Sequence, residues 1–188
     1  AFTRDGKGGL PCCGSILTMR VSRLRMFVLL AGFCFGSNTA VAEPSDLLEA
    51  AKQADVAAVR ALLEQGAAVD AIEGDGTTAL HWASYHDEIA TVQRLLTAGA
   101  DVNVANDLGV TPLWTASQNG SEELVRILLT AGANPNLALL AGETPVMVAA
   151  RSGAREVVGL LVAHGAALEA RGPRGQTALM WAVAQGHS

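Results

Sequence analysis

Residues 76–88 read Gly-Thr-Thr-Ala-Leu-His-Trp-Ala-Ser-Tyr-His-Asp-Glu, with two histidines, two acids, a tyrosine and four hydroxyl or amphipathic side chains close together. Such a window suits a metal site, a catalytic cluster or polar scaffold, and the window alone does not choose. The choice comes from what recurs around it. Gly76, Gly109, Gly142 and Gly175 are spaced by 33 residues, as are Thr78, Thr111, Thr144 and Thr177, and Gly66, Gly99, Gly132 and Gly165. Ala50, Ala83, Ala116, Ala149 and Ala182 extend the register to five copies with no insertion from Ser45 to Gly186. A period of this length marks a stacked repeat rather than an isolated site.

Each copy carries the signals of two short helices. The recurring threonines, with Ser45 in the first copy, read as side-chain N-caps, and Asp46, Ala79, Pro112, Pro145 and Ala178 follow them as good first helical residues. Apolar residues at helical spacing come next, as in Leu47, Ala50 and Ala51. A break falls at Gly120, Gly153 and Gly186, with Asp87 in the second copy. A second helix then sets Val59, Leu62 and Leu63 on one face, matched by Val92, Leu95 and Leu96, by Val125, Leu128 and Leu129, and by Val158, Leu161 and Val162. The glycine after it suits a left-handed C′ position. Two short helices cannot bury such a stripe alone, so neighbouring copies must bury it between them.

The period and the run Thr78-Ala79-Leu80-His81-Trp82-Ala83 resemble the ankyrin repeat, over the whole of residues 45–188. That resemblance implies an all-α solenoid of stacked helix-turn-helix units with short hairpin loops. The copies run at about 43–72, 73–105, 106–138 and 139–171, with a truncated one at 172–188. His81 then falls on the family's structural histidine, whose expected role is a hydrogen bond between adjacent loops. Other copies place Leu48, Trp114, Met147 and Met180 there, which no shared metal or base could use. His81 and His86 also lie about 140° apart on a helix, unlike the i, i+4 pair of zinc proteases. No catalytic residue, cofactor or metal ligand is expected. No nucleophile has a base at a recognised spacing, and no phosphate-cradling loop follows a strand.

The resemblance further implies protein binding on a concave side made of hairpin tips and the outward face of the first helices. On this chain that selects Asp75, Thr77, Tyr85 and His86 in the second copy, and Asp107, Leu108, Val110, Gln118 and Asn119 in the third. The fourth contributes Leu139, Leu140, Glu143, Arg151 and Ser152, and the fifth Arg174, Gln176 and Gln185. Tyr85 and His86 have the amphipathic character of binding hot spots. The apolar run Leu137-Ala138-Leu139-Leu140-Ala141 stands where a loop tip is normally polar. It is expected to fold back onto its own repeat, as in Ala-Leu-rich loops of bacterial relatives, rather than to form an exposed patch. Trp82, Trp114 and Trp181 are expected to pack against the helices.

The region before residue 43 is of another kind. It holds all four phenylalanines and all three cysteines. Residues 19–25 are cationic, residues 26–36 are apolar, and Ala40-Val41-Ala42 offers small residues to a signal peptidase, the order of a secretory signal. Eleven apolar residues are too few for a stable span, which takes roughly 20, so residues 19–42 are read as a signal peptide cut after Ala42, and residues 1–18 as upstream sequence. Leu30-Ala31-Gly32-Phe33-Cys34 departs from a lipid-attachment box, because Phe33 stands where a small residue is required. Cleavage leaves 146 residues with 8 basic against 17 acidic side chains, a net charge of −9, and no cysteine. An acidic chain is a poor ligand for nucleic-acid phosphates.

The expectation is therefore a monomeric, non-catalytic binder of an unidentified protein, exported to the periplasm or secreted, with no stable membrane span after cleavage. The narrower alternative is an immunity-type or protective periplasmic protein, or a host-directed effector, with one specific partner. The fifth copy stops before its second helix, leaving Leu179 and Val183 without partners, so at least one further helix is expected beyond Ser188.

Overall fold

The computed structural model describes residues 44–187; the signal-peptide reading of residues 19–42 and the upstream reading of residues 1–18 lie outside them. Nine helices occur among the described residues: α1 (Pro44–Lys52), α2 (Val56–Glu64), α3 (Ala79–Tyr85), α4 (Ile89–Thr97), α5 (Pro112–Asn119), α6 (Glu122–Thr130), α7 (Pro145–Ser152), α8 (Arg155–Ala163) and α9 (Ala178–Ala184). First helices stack in the order α1, α3, α5, α7, α9, and second helices in the order α2, α4, α6, α8. Strand pairing among the described residues is one isolated bridge between Ile72 and Thr78. The fold is an all-α repeat solenoid.

Its core is the repeat register made physical. Leu47, Leu80, Leu113 and Val146 occupy one position and are all buried, as are Val59, Val92 and Val125 on the second helices. Each side chain is closed off by its own hairpin and by the next one, and burying it is worth about 1.5–3 kcal/mol relative to exposure. At α9 the pattern loses its cover. Leu179 and Val183 are 72% and 67% exposed, because no second helix follows α9 among the described residues.

Helix starts differ in detail from the sequence expectation. Thr78, Thr111, Thr144 and Thr177 all take extended backbone at the N-cap, but only Thr111 caps simply, accepting the Trp114 N–H at 3.1 Å. Thr78 shares its cap with His81, while the buried Thr144 hydroxyl has no hydrogen-bond partner among the described residues. Ser45 is not a cap at all, since α1 already begins at Pro44.

Between the paired helices the chain turns through a left-handed residue at one register position: Gly120, Gly153 and Gly186 with φ of 71–74°, Asp87 at 57° and Ala54 at 53°. Asp87 is the expected break of the second copy, whereas Ala54 carries no sequence signal, because alanine rarely accepts this conformation. An L-residue in the left-handed region costs about 1–2 kcal/mol, and glycine's greater unfolded-state freedom returns about 0.5–1 of it. Ala54→Gly should therefore raise unfolding stability by about 0.5–1 kcal/mol, seen as a higher urea midpoint with an unchanged slope. A lower midpoint would show that Ala54 carries no strain.

Candidate interaction face

The hairpin loops are built alike. In each, a backbone bond closes the turn: Glu73 N–H to Thr77 O, Asn106 to Val110, Leu139 to Glu143 and Gly172 to Gln176, at 2.8–3.0 Å. Adjacent tips are joined directly. The Asp107 N–H donates to Asp75 O at 2.9 Å, and the Leu140 N–H to Leu108 O at 3.0 Å. One more step along, the donor position is Pro173, which has no N–H, so the ladder stops there. The approach is close enough that a Cβ on Gly109 would sit 2.9 Å from the Leu140 nitrogen. This contact corrects the expected fold-back of residues 137–141: the run stacks on the preceding loop, and Leu140 is left 81% exposed.

His81 locks the second loop to the third. Its Nδ1 accepts the Thr78 N–H at 3.1 Å, so the proton sits on Nε2, which donates to Val110 O at 2.9 Å. Trp114, at the same register, is buried but its indole N–H meets no acceptor among the described residues. His86 points elsewhere, its Nε2 2.9 Å from Lys52 O. The two histidines thus do not converge. No group of three His, Cys, Asp or Glu among the described residues is placed to hold a metal ion.

Several residues selected as contacts turn out to serve the stack. Thr77 is buried, at 8% exposure, with its hydroxyl 3.5 Å from Asn106 Nδ2. Val110 is half-buried and supplies the carbonyl that His81 reaches. His86 and Asn119 close the end of the preceding first helix; Asn119 Nδ2 donates to Ser84 O and Tyr85 O at 3.2 and 3.1 Å. Ser152, at the same position, is too short and bonds its own helix at Ala149 O. Glu143 and Arg151 form an ion pair, and the Arg151 guanidinium lies 5.4 Å from the Trp181 ring. Leu139 is half-buried under its turn, and Gln176 accepts the Arg174 N–H at 3.0 Å.

The side chains left reaching outward are Asp75, Tyr85, Asp107, Leu108, Gln118, Leu140, Arg174 and Gln185. Tyr85 is 61% exposed and meets Trp82 edge-on at 6.0 Å between ring centroids, while Trp82 stacks on His86. Lys52 adds its ammonium 5.4 Å from the Trp82 ring and an ion pair to Glu73 at 2.5 Å. Lys52 and Glu73 were missed from sequence, although Lys52 stands one period before Tyr85. A groove of about 390 Å³ opens beside them, lined by Asp75, Tyr85, Trp82, His81 and Asn106 among others. The Thr77 N–H, 3.0 Å from Asp75 Oδ1, holds that carboxyl below the usual aspartate range.

A second row of bridges, also missed, joins the loops that follow the second helices. Asp70 Oδ1 accepts the Asp101 N–H. Asn103 accepts the Asn134 N–H and donates to Gly132 O, and Asn136 repeats this with Ala167 and Gly165. Their signal was the 33-residue spacing of Asp70, Asn103 and Asn136.

Comparison with known families agrees with this geometry. A family profile described as ankyrin repeats (3 copies) matches residues 47–138 and 113–188. The chain belongs to the ankyrin-repeat family, whose repeats form a protein–protein interaction scaffold. No curated protein matches the chain.

Burial pushes the His81 ring below its ordinary value of 6.5, because the charged form would lose its water. As pH falls below that value the unfolded chain takes up a proton that the folded ring refuses, so folding stability decreases. The melting temperature should be lower at pH 5.5 than at 7.5. His81→Met, the residue of the fourth and fifth copies, should shrink that difference; an undiminished difference would show that His81 is not its source.

Proposed function

We propose that the chain is a non-catalytic binder of one protein partner, gripping it with the hairpin tips and the outward side of the first helices. The observation that carries this is the division of labour among exposed groups. His86 and Asn119 are consumed in joining repeats, whereas Tyr85, Gln118, Leu108 and Leu140 stand outward on a stacked, hydrogen-bonded support. An aromatic anchor on a rigid scaffold loses little freedom on binding, which favours affinity. The partner's surface, not a cofactor, completes the site.

The same reading has the protein exported and acting as a monomer. Residues 19–42 support export by their cationic, apolar and small-residue order, and residues 43–188 contain no cysteine. Among the described residues no helix is long and apolar enough to cross a membrane.

Capture from periplasmic extract by the full chain tests the reading. Tyr85→Ala with Gln118→Ala should weaken capture roughly tenfold, the scale of a binding hot spot, with an unchanged urea midpoint, and sequencing of the exported bait should begin at Glu43. Capture untouched by this pair but lost on Gln93→Ala with Arg126→Ala would move the site to the second helices.

A further inference from the structure

The exposed tip residues form an ordered row rather than a mixture. One register position runs Asp75, Leu108, Ala141, Arg174, and its neighbour runs Gly74, Asp107, Leu140, Pro173. Asp75 and Asp107 lie together, since the Asp107 N–H bonds Asp75 O and its Oδ1 would be 3.6 Å from a Cβ on Gly76. Neither forms a salt bridge among the described residues; the nearby Lys52 is held by Glu73. Leu108 and Leu140 follow, 67% and 81% exposed and joined through the Leu140 N–H. Arg171 and Arg174 end the row on the fifth loop, both exposed and without a carboxylate partner among the described residues. The Glu143 carboxylate of the preceding loop is engaged by Arg151.

We propose that this row docks one extended partner segment of fixed polarity, with a cationic side chain at the Asp75–Tyr85 groove, apolar side chains over Leu108 and Leu140, and an acidic end at Arg171 and Arg174. The proposal rests on the protein-binding reading above and specifies the partner's chemistry. Three steps between stacked helices span about 24–30 Å, which about eight extended residues cover. The groove accepts arginine best. Its planar head stacks on the Tyr85 ring while its donors meet the Asp75 carboxylate, since both side chains line the same groove. A segment lying the other way brings like charges together at both ends, so the row selects direction as well as composition.

The probe is the nine-residue peptide Arg-Arg-Gly-Leu-Ala-Leu-Gly-Glu-Glu, carrying a nitroxide at the arginine end. Against the full chain at low salt it should bind roughly tenfold tighter than its counterpart with glutamine at all four charged positions. The nitroxide should broaden amide signals near Tyr85 and spare those near Arg174. Reversing the row with Asp75→Arg, Asp107→Arg, Arg171→Glu and Arg174→Glu should move the broadening to the fifth loop. Equal affinity for the two peptides, no binding of either, or broadening at both ends would overturn the proposal. If the reversed variant still captures the partner that Tyr85→Ala with Gln118→Ala loses, the protein-binding reading survives and only the charge order falls.

Discussion

The contact between one helical hairpin and the next governs everything else in this chain. A hairpin of two helices, each under ten residues, has an apolar stripe and too little chain to cover it. Leu47, Leu80, Leu113 and Val146 are buried only because another copy arrives at the same height. The fixed 33-residue interval keeps that height constant, so helices, turns and tips align without adjustment.

Polar groups follow the same rule. Repeat-to-repeat bonds run along the tips, through Asp107 and Leu140, the ends of the first helices, through His86 and Asn119, and the loops after the second helices, through Asn103 and Asn136, and His81 adds a bond to Val110 O. Each line spends side chains or backbone groups on stacking, and what it leaves over becomes the surface. The candidate interaction face is thus the remainder of the scaffold's own requirements. That is why His86 and Tyr85, neighbours in sequence, have different roles.

Periodicity made the fold legible. Burial at Leu47, Leu80, Leu113 and Val146, and at Val59, Val92 and Val125, followed from a spacing that anyone can count, as did the left-handed glycines, whereas Val162, expected on the buried face of its helix, is 41% exposed. The site was legible only in outline. Sequence placed Asp75, Tyr85, Gln118 and Leu140 on the outward side, where they stand, but could not see that Thr77 is buried or that Asn119 reaches back to the previous helix. Those outcomes depend on side-chain length across a repeat interface, where Asn119 bridges and Ser152 at the same register does not. The run at residues 137–141 departs from its expected fold-back for a related reason. Its destination depends on Gly109 in the preceding copy, whose lack of a side chain lets the backbone of Leu140 come close. Composition gave the loop its apolar character, and the neighbour decided where it went.

Excising residues 106–138 tests the dependence of each hairpin on its neighbours most directly, because the cut removes one repeat and restores the register. The shortened chain should still fold and unfold in one cooperative urea transition, with a lower midpoint and a shallower slope, since one favourable interface has been lost. An unchanged midpoint, or separate transitions for the two flanking parts, would mean that the hairpins are stable on their own and that stacking is not what holds the protein together.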